Sequence, residues 1–376
     1  MGISIKSVAG KDELSKFIEF PWFIYREYWR DPNWVPPLKR DIKFKLNTSK
    51  HPFWKHAERQ LFLAYKDGTL AGRIAAIIDY NYNKLWNEKM GAFGFFECIN
   101  DQSVADALLD AASDWLKKKG MSFIRGPLSP SMNDECAFLT EGYEKPPVIM
   151  MPYNPPYYPE LVEKSGFAKA KELWAFYKDT SMGIPERLQK LAEALKRKHN
   201  LLIREVNFKK LSHELEIIRE LYNKSWEKNW GFSPMTDEEI DLTGKELKSI
   251  AVPELALFAF MNGKPAGVGI SIPDYNQVLI HLNGKLGPIQ IAKALVLRKK
   301  ITGIRAMVFG FKPEFRRTGL PILLYWETER AARRLGYQWC ELSWNLEDND
   351  LINRFDSEIG GKLYKRYRIY ERQIVP

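Results

Sequence analysis

The stretch Phe311–Pro321, FKPEFRRTGLP, carries the residue types that a phosphate-binding turn needs. Arg316 and Arg317 offer fork-shaped donors that match phosphate oxygens, and Gly319 lets the backbone approach a ligand closely. Pro321 is typical of a first helical turn, whose free N–H groups attract anions. The pattern favours a phosphate site over the alternative, an ordinary surface turn.

The elements around this stretch place it at a strand-to-helix corner. An apolar run precedes it, and apolar residues at helical spacing follow it. For the C-terminal half we predict these elements, with a hairpin between the second helix and the corner: helix Glu186–His199, strand Leu201–Val206, helix His213–Lys228, a strand ending near Lys312, helix Gly319–Leu335, strand Tyr337–Trp344, helix Asp350–Ile359 and strand Leu363–Arg372. This order predicts an α/β fold with a central mixed sheet flanked by helices.

The sequence also repeats itself. DGTLAGRIAAIIDYN (Asp67–Asn81) and NGKPAGVGISIPDYN (Asn262–Asn276) share seven identical residues at a constant offset of 195, and both are typical of a β-hairpin. Phe93–Phe95 matches Phe309–Phe311 as Phe-Gly-Phe at an offset of 216. We therefore predict two tandem domains of like fold, residues 1–180 and residues 181–376.

Composition limits the class of protein. The net charge of +10 predicts attraction to polyanions, namely a phosphorylated cofactor, nucleic acid or an anionic membrane. The three cysteines form no CxxC and fit a reducing cytosol, and the five histidines form no HExxH, so no metal is expected. The chain starts without an apolar signal core, and no apolar run approaches 18 residues. A cytoplasmic protein is therefore expected.

At the corner the chain resembles the GCN5-related N-acetyltransferases (GNAT), which carry V-x-P-E-Y-R-G-K-G-x-G or -A there. The Pro-Glu-aromatic-Arg lead-in and the R-x-x-G core match, whereas Pro321 replaces the last small residue. The resemblance implies that the corner holds the pyrophosphate of coenzyme A and that acyl-CoA is the co-substrate. It assigns the binding residues as Phe311, Lys312, Arg316, Arg317, Thr318, Gly319, Leu320 and, from the family's next helix, Asn349.

The N-terminal half lacks this corner. Asn100–Ser103 stands in its place, with no glycine and with an acid instead of a base. An acidic corner repels pyrophosphate, so we expect one coenzyme A site, in the C-terminal domain, and a structural or acceptor-binding role for the N-terminal domain. The resemblance extends to tandem folds with one active half, such as N-myristoyltransferase, mycothiol synthase and the Fem-type aminoacyl transferases.

Acyl transfer from a thioester to an amine needs a neutral amine, a held carbonyl and a protonated leaving thiol. The candidates for the base are Glu341, His281 and Glu97, each of which has a structural role as its alternative. The family often has Tyr as the acid where this chain has Asp356, so Tyr364 is the substitute candidate. By the same resemblance, the backbone N–H near Phe311 holds the carbonyl oxygen.

Two aromatic segments hint at a lipid acceptor, Phe17–Trp29 and Met151–Pro159. Aromatic rings with polar ends suit a membrane interface, although a buried core helix explains them equally. The chain also resembles a bacterial tandem group associated with ceramide synthases. That resemblance implies a long-chain, sphingoid-type amine as acceptor and peripheral contact with the inner face of the membrane.

Two other functions stay open at this point. A Fem-type aminoacyl transferase would use the basic charge to bind aminoacyl-tRNA, and a non-catalytic module would bind acyl-CoA without releasing thiol. No DNA partner is expected.

Overall fold

The computed structural model of the chain describes residues 2–197 and 200–374. The chain forms two compact units, each built from separate stretches. Unit 1 contains the described residues of Met1–Leu173, Val278–Leu295 and Lys365–Pro376, and unit 2 contains those of Trp174–Gln277 and Val296–Tyr364. The predicted boundary between residues 180 and 181 separates the two copies of the sequence repeat, and it stays a prediction.

Strands and helices alternate through the first half of the chain. In order they are β1 (Ile3–Ser7), α1 (Lys11–Trp22), α2 (Lys39–Lys45), β2 (Ala57–Lys66), β3 (Thr69–Asp79), α3 (Tyr80–Trp86), β4 (Met90–Cys98), α4 (Gln102–Lys118), β5 (Phe123–Gly126), β6 (Leu128–Ser129), β7 (Glu135–Cys136), β8 (Phe138–Glu141), α5 (Tyr157–Lys164) and β9 (Ala168–Asp179).

The second half continues the alternation. In order its elements are α6 (Glu186–Lys196), β10 (Leu201–Glu205), α7 (Leu211–Trp226), α8 (Asp237–Lys248), β11 (Ala256–Met261), β12 (Lys264–Pro273), α9 (Asn276–Leu279), α10 (Pro288–Leu297), β13 (Gly303–Phe311), α11 (Leu320–Arg334), β14 (Trp339–Leu346), α12 (Asp350–Glu358) and β15 (Lys362–Gln373). The predicted elements of this half are present, with ends that coincide or differ by at most three residues. The last two residues of the predicted helix Glu186–His199 lie outside the described part of the chain. Helices α8, α9 and α10 were not predicted.

Unit 1 is built on a mixed sheet in the order β1-β2-β3-β4-β5-β15. The hairpin β2–β3 turns at Asp67 and Gly68, whose φ angles of 49° and 79° are those of the tight turn that joins twisted strands. Strand β4 then pairs antiparallel with β3, and the helix α4 crosses over to β5, which pairs parallel with β4. The buried side of α4, including Leu108, Leu109 and Ala112, packs against the sheet.

Unit 2 repeats this arrangement with its sheet in the order β9-β14-β13-β12-β11-β10. The hairpin β11–β12 turns at Asn262 and Gly263, with φ angles of 52° and 75°. Strand β13 pairs antiparallel with β12, and α11 crosses over to β14, which pairs parallel with β13. Leu323 and Leu324 of α11 lie in the core. The predicted hairpins and the α/β class with mixed sheets are therefore confirmed.

The segment Val278–Leu295 follows the hairpin of unit 2 yet packs within unit 1. The indole N–H of Trp22 donates to the side chain of Asn283 at 3.0 Å, and the amide of Lys39 donates to the carbonyl of Gly284 at 3.0 Å. Gly284 has a φ of 71°, and a Cβ there would lie 2.3 Å from the Trp22 ring. The fit between Gly284 and Trp22 therefore depends on glycine.

The aromatic segments that suggested a lipid surface lie mostly in the core of unit 1. Phe17, Phe20, Ile24 and Tyr25 are buried, as are Tyr157 and Tyr158 of the second segment. Tyr28 and Trp29 are partly exposed. The alternative interpretation, a core helix, therefore accounts for most of these rings. Among the described residues, no helix combines the length and the apolar character that crossing a membrane requires.

Candidate functional site

The predicted phosphate corner joins β13 to α11 within unit 2. After Phe311 the chain makes a short 3-10 turn, Pro313–Phe315, and enters the helix through Gly319, whose φ is 81°. A Cβ at Gly319 would lie 2.8 Å from Cδ1 of Leu195, so both the backbone angle and the space require glycine. Pro321 occupies the first turn, as its missing N–H predicts.

Two of the predicted phosphate ligands bind other parts of the protein. The guanidinium of Arg316 donates to the carbonyl of Phe311 at 3.2 Å and to that of Ser225, in α7, at 2.7 Å. The ammonium of Lys312 is buried and lies 2.6 Å from the carboxylate of Glu220, also in α7. These contacts hold the corner against α7, so Arg316 and Lys312 fix the shape of the turn.

The side chains of Arg317 and Thr318 are instead exposed, although the Thr318 hydroxyl donates to the carbonyl of Phe315 at 2.8 Å. Among the residues that the structure describes, the guanidinium of Arg317 has no hydrogen-bond or ion-pair partner, and neither do the amides of Gly319 and Ile322. The helix N-terminus adds partial positive charge to this group of donors. A charged guanidinium and unpaired amides at one helix end are the features that bind phosphate oxygens. The exposed side of the corner therefore fits a pyrophosphate.

The two parallel strands beside the corner pair over a short length. Gly303–Ala306 of β13 pairs with Trp339–Leu342 of β14. Beyond Ala306, the described pairs of β13 are with β12, after an irregularity in register between Ile270 and Ser271. In an antiparallel pair every second residue turns its N–H away from its partner. Beyond Ala306, the N–H groups of β13 that face the side of β14 could therefore donate to the carbonyl oxygen of a thioester.

Asn349 begins α12, the helix that follows β14. Its side chain makes no capping hydrogen bond, although its carbonyl accepts from the amide of Asn353 at 3.1 Å. The ring of Phe309 on β13 stacks on Phe355 of α12, with centroids 5.7 Å apart. This contact places α12 beside the part of β13 that leads into the corner.

Glu341 and Tyr364, predicted separately as base and acid, meet in unit 2. Glu341 is fully buried on β14, and the hydroxyl of Tyr364 on β15 donates to its Oε2. The hydroxyl of Ser343 donates to Oε1 of Glu341 at 2.5 Å and accepts from Nε of Arg305 at 3.1 Å. Glu341 lies opposite Arg305 in register, one residue before β13 and β14 cease to pair. A linked carboxylate and phenol at this point can take up and return a proton.

The structure adds Ser343 and Arg305 to this network, and the sequence offered a signal for both. Ser343 follows Glu341 at the two-residue spacing that puts side chains on one face of a strand. Cys340 and Leu342, which alternate with them, pack in the same core cluster as α11. Arg305 is a charged residue inside an apolar run and is buried. A buried charge needs a partner, and this requirement could have identified it.

The other two base candidates lie in unit 1. Glu97 on β4 is surrounded by polar groups: the hydroxyl of Tyr158 donates to Oε2 at 2.7 Å, and Arg73 lies 3.5 Å from Oε1. Burial raises the pKa of Glu97 to about 7, although Arg73 opposes the shift. His281 is exposed, and its carbonyl accepts from Lys293 at 3.1 Å. Their catalytic roles stay predictions.

Asp356 is a buried carboxyl at the position where the resembled family has its tyrosine. The amide of Asn345 donates to its Oδ2 at 2.7 Å. Burial raises the pKa of Asp356 to about 7, and this hydrogen bond opposes the shift. A carboxyl group with that pKa carries a proton in about half of the molecules at neutral pH.

At the equivalent corner in unit 1, between β4 and α4, a carboxylate of the protein lies at the helix N-terminus. Asp101 precedes α4, and its carboxylate accepts from the amide of Val104 at 3.2 Å and from Ser103 at 2.6 Å. The ammonium of Lys66 contacts the same carboxylate and lowers the pKa of Asp101 to about 2. A carboxylate of the protein therefore already occupies this helix N-terminus. Within residues 2–197 and 200–374, no three His, Cys, Asp or Glu residues are grouped for a metal, and the expectation of no metal stays a prediction.

Two proteins match the chain over nearly its whole length. Protein YghO of Escherichia coli (strain K12) is 34% identical over 378 residues, which cover 98% of this chain and 95% of that protein. The bacterial ceramide synthase of Caulobacter vibrioides (strain NA1000 / CB15N) is 34% identical over 382 residues, which cover 99% of this chain and 98% of that protein. No family model matches the chain.

Solved structures agree with the tandem fold. A tandem GNAT protein from the clavulanic acid biosynthesis pathway superposes with a TM-score of 0.57 at 10% identity, covering 100% of this chain and 99% of that chain. A probable N-acyltransferase from Enterococcus faecalis V583 superposes with a TM-score of 0.53 at 10% identity, covering 100% of this chain and 73% of that chain. The prediction of a tandem GNAT fold is confirmed.

Proposed function

Because the chain belongs to the family of the bacterial ceramide synthase and YghO, it is an N-acyltransferase, and we propose that it moves an acyl group from acyl-CoA to the amine of a long-chain, sphingoid-type lipid. Two findings support the long-chain acceptor and the donor. The first is the 34% identity to a ceramide synthase over the full length. The second, which concerns the donor, is the exposed corner, where Arg317 has no partner within residues 2–197 and 200–374.

The corner would bind the pyrophosphate of the donor. Arg317 supplies the charge and the paired donors, while the amides of Gly319 and Ile322 supply further hydrogen bonds. Arg316 and Lys312 act indirectly, since their contacts with α7 keep the turn in its shape. Phe311, Thr318 and Leu320 complete the turn, and Asn349 begins the helix beside β13.

The Glu341–Tyr364 pair would move the proton. The amine nitrogen attacks the thioester carbonyl, whose oxygen is held by N–H groups of β13 near Phe311. Tyr364 accepts the proton that the amine loses and passes its own to Glu341. The carbon–sulfur bond then breaks, and the pair returns the proton to the leaving thiolate. An amide and a free thiol are formed, and no other reactant is required.

A long-chain amine resides in a membrane, so the proposal includes peripheral contact of this protein with the inner membrane face. His281 and Glu97 lie in unit 1, and their catalytic roles stay predictions. We assign the base to Glu341 because its hydroxyl partners are already in place.

The test measures thiol release from acetyl-CoA to palmitoyl-CoA with a sphingoid base or a small amine. Arg317→Glu is the test variant, and Arg334→Glu is the matched control, because it makes the same charge change at the opposite, exposed end of α11. A charge-assisted hydrogen bond is worth about 2 kcal/mol. We therefore expect Arg317→Glu to raise the donor KM by about 30-fold or more and the control to change it by less than twofold.

Each part of the proposal can fail separately. Release with small amines but not with sphingoid bases would refute the lipid acceptor and keep the transferase. Donor binding without any release would favour the binding module. Absence of donor binding together with salt-sensitive binding of aminoacyl-tRNA would favour Fem-type transfer.

A further inference from the structure

Helix α10 presents its apolar residues to solvent. All of its residues fall within the described part of the chain, and none of them is buried. Ile289 is 79% exposed, Val296 62%, Leu295 49% and Ile291 46%. The less exposed residues of the helix include Gln290, Ala294 and Leu297, which recur at helical spacing on the other side. Helix α10 therefore exposes large apolar side chains that a surface helix of a soluble protein would turn inward.

The residues around this apolar face are basic. Lys293 lies within α10, and Arg298, Lys299 and Lys300 follow it directly in an exposed 3-10 turn. The sequence contains neither Asp nor Glu from Tyr275 to Pro313. An apolar helix face that adjoins cations, in a stretch of sequence without acidic residues, complements a surface that is apolar inside and anionic outside.

The helix also lies where the two repeats differ in length. The repeat offset is 195 at the hairpins and 216 at the strands that follow, so 21 residues are added in between in the second copy. In unit 1 the corresponding connection between β3 and β4 contains the short helix α3. The exposed apolar helix is thus not a requirement of the repeated fold.

From these observations we infer that α10, with Arg298–Lys300, is a membrane-docking element that lies in the surface of an anionic bilayer. The side chains of Ile289, Ile291, Leu295 and Val296 insert among the acyl chains, and the basic residues contact the lipid phosphates. A second copy of the chain is a poorer occupant, because antiparallel α10 helices would bring the two Lys293 side chains together and parallel ones would also bring Arg298–Lys300 of each copy together.

This inference rests on the proposed function for the peripheral membrane contact, which it assigns to a particular element, but it is tested apart from acyl transfer. Binding to vesicles needs no acyl donor, so it can fail while acyl transfer stands, and it can hold for a protein that transfers nothing.

The experiment is sedimentation of the full chain with vesicles of phosphatidylglycerol and phosphatidylcholine at equal proportions, and with vesicles of phosphatidylcholine alone. We expect binding to the mixed vesicles that is at least tenfold stronger and that weakens at high salt. Ile291→Glu/Leu295→Glu and Arg298→Gln/Lys299→Gln/Lys300→Gln should each weaken binding at least tenfold. Leu202→Glu, at an exposed apolar residue of β10, is the matched control and should bind as the unmodified chain does.

A fluorescent label reports which surface inserts. Cys98, Cys136 and Cys340 are buried, so a thiol-reactive nitrobenzoxadiazole dye reacts with an added cysteine. With the dye on Ile289→Cys we expect a blue shift when mixed vesicles are added, and none with the dye on Leu202→Cys.

Either of two outcomes would overturn the inference. One is equal vesicle binding by the unmodified chain and both α10 variants, or no binding at all. The other is a dimer in solution that Ile291→Glu/Leu295→Glu converts to a monomer, which would make α10 an interface between copies.

Discussion

In unit 1 the chain passes from β4 to α4 through Asn100 and Asp101, whereas in unit 2 it passes from β13 to α11 through Arg317 and Gly319. Both helices present free N–H groups at their first turn. In α4 the carboxylate of Asp101, which is paired with Lys66, accepts from one of them, the amide of Val104. Arg317 adds a cation that the described protein does not use. The repeated fold thus provides a helix N-terminus twice, and the side chains decide whether an external anion can bind.

The buried glutamates of the two units differ in the same way. Glu97 lies beside Arg73 and Tyr158, and its pKa of about 7 shows that burial outweighs the nearby cation. Glu341 accepts hydrogen bonds from Tyr364 and Ser343, next to the point where β13 and β14 cease to pair. We therefore expect Glu341 to act in catalysis and Glu97 to act on stability.

The largest effect is expected at Glu341. Glu341→Gln removes the proton acceptor and keeps the shape, and a general base contributes about a hundredfold to ten-thousandfold to the rate. We expect kcat to fall by at least about a hundredfold while the donor KM changes little, measured by thiol release at saturating amine. Glu160→Gln, at an exposed glutamate of α5, is the control. A kcat within twofold of the unmodified enzyme would remove Glu341 from the mechanism.

At Glu97 we expect a dependence of stability on pH. The folded protein holds this proton up to about pH 7, whereas an ordinary glutamate releases it near 4.5. Between these values the folded state binds more protons than the unfolded state, so its stability falls as the pH rises. At about 1.4 kcal/mol per pH unit, Glu97 costs up to about 3 kcal/mol by pH 7.

Urea unfolding between pH 4.5 and pH 8 measures this effect. Glu97→Gln should become more stable than the unmodified chain by a growing margin across that range, and Glu160→Gln, at an exposed glutamate, should not. A margin that stays constant with pH would mean that Glu97 titrates as an ordinary carboxylate. A fall in kcat of a hundredfold would instead give it a catalytic role.

The smallest effect is expected at Asp101. Asp101→Asn keeps the side-chain oxygen that accepts from Val104 and removes the ion pair with Lys66, so we expect a loss of about 1 kcal/mol or less in the free energy of unfolding. The donor KM should not change, because this corner would bind no donor. A raised donor KM, measured in the same thiol-release assay, would contradict the division of roles between the two corners.

Local patterns predicted the corner, the hairpins and the helices around them because turns, caps and helical spacing are encoded by neighbouring residues. The motif did not show which arginine is exposed: Arg316 binds Ser225 in α7, 91 residues away in the sequence, and no local pattern encodes that contact. Glu341 and Tyr364 were each proposed from position alone. Their hydrogen bond depends on the packing of β14 and β15, which the sequence pattern does not specify.

Helix α10 was missed for a different reason. An apolar segment normally predicts a buried element, and the sequence does not show that its apolar side faces outward. The packing of Val278–Leu295 within unit 1 was also not predicted, since it brings together residues that are more than 240 positions apart, such as Trp22 and Asn283, 261 residues apart in sequence.

The chain enters unit 1 again after the hairpin of unit 2, and once more with its last strand. A gene fragment that ended near residue 180 would therefore encode a first unit without β15, without Asn283 against Trp22, and without Arg372 against Asp110. The sequence repeat consists of two consecutive copies, whereas each compact unit is built from separate stretches of the chain. Cutting the gene at one point would therefore not yield either unit whole. Exchange of unit 1 between relatives would have to bring three separate coding segments together, and exchange of unit 2 would need two, so the pair of units is expected to have diverged as one gene.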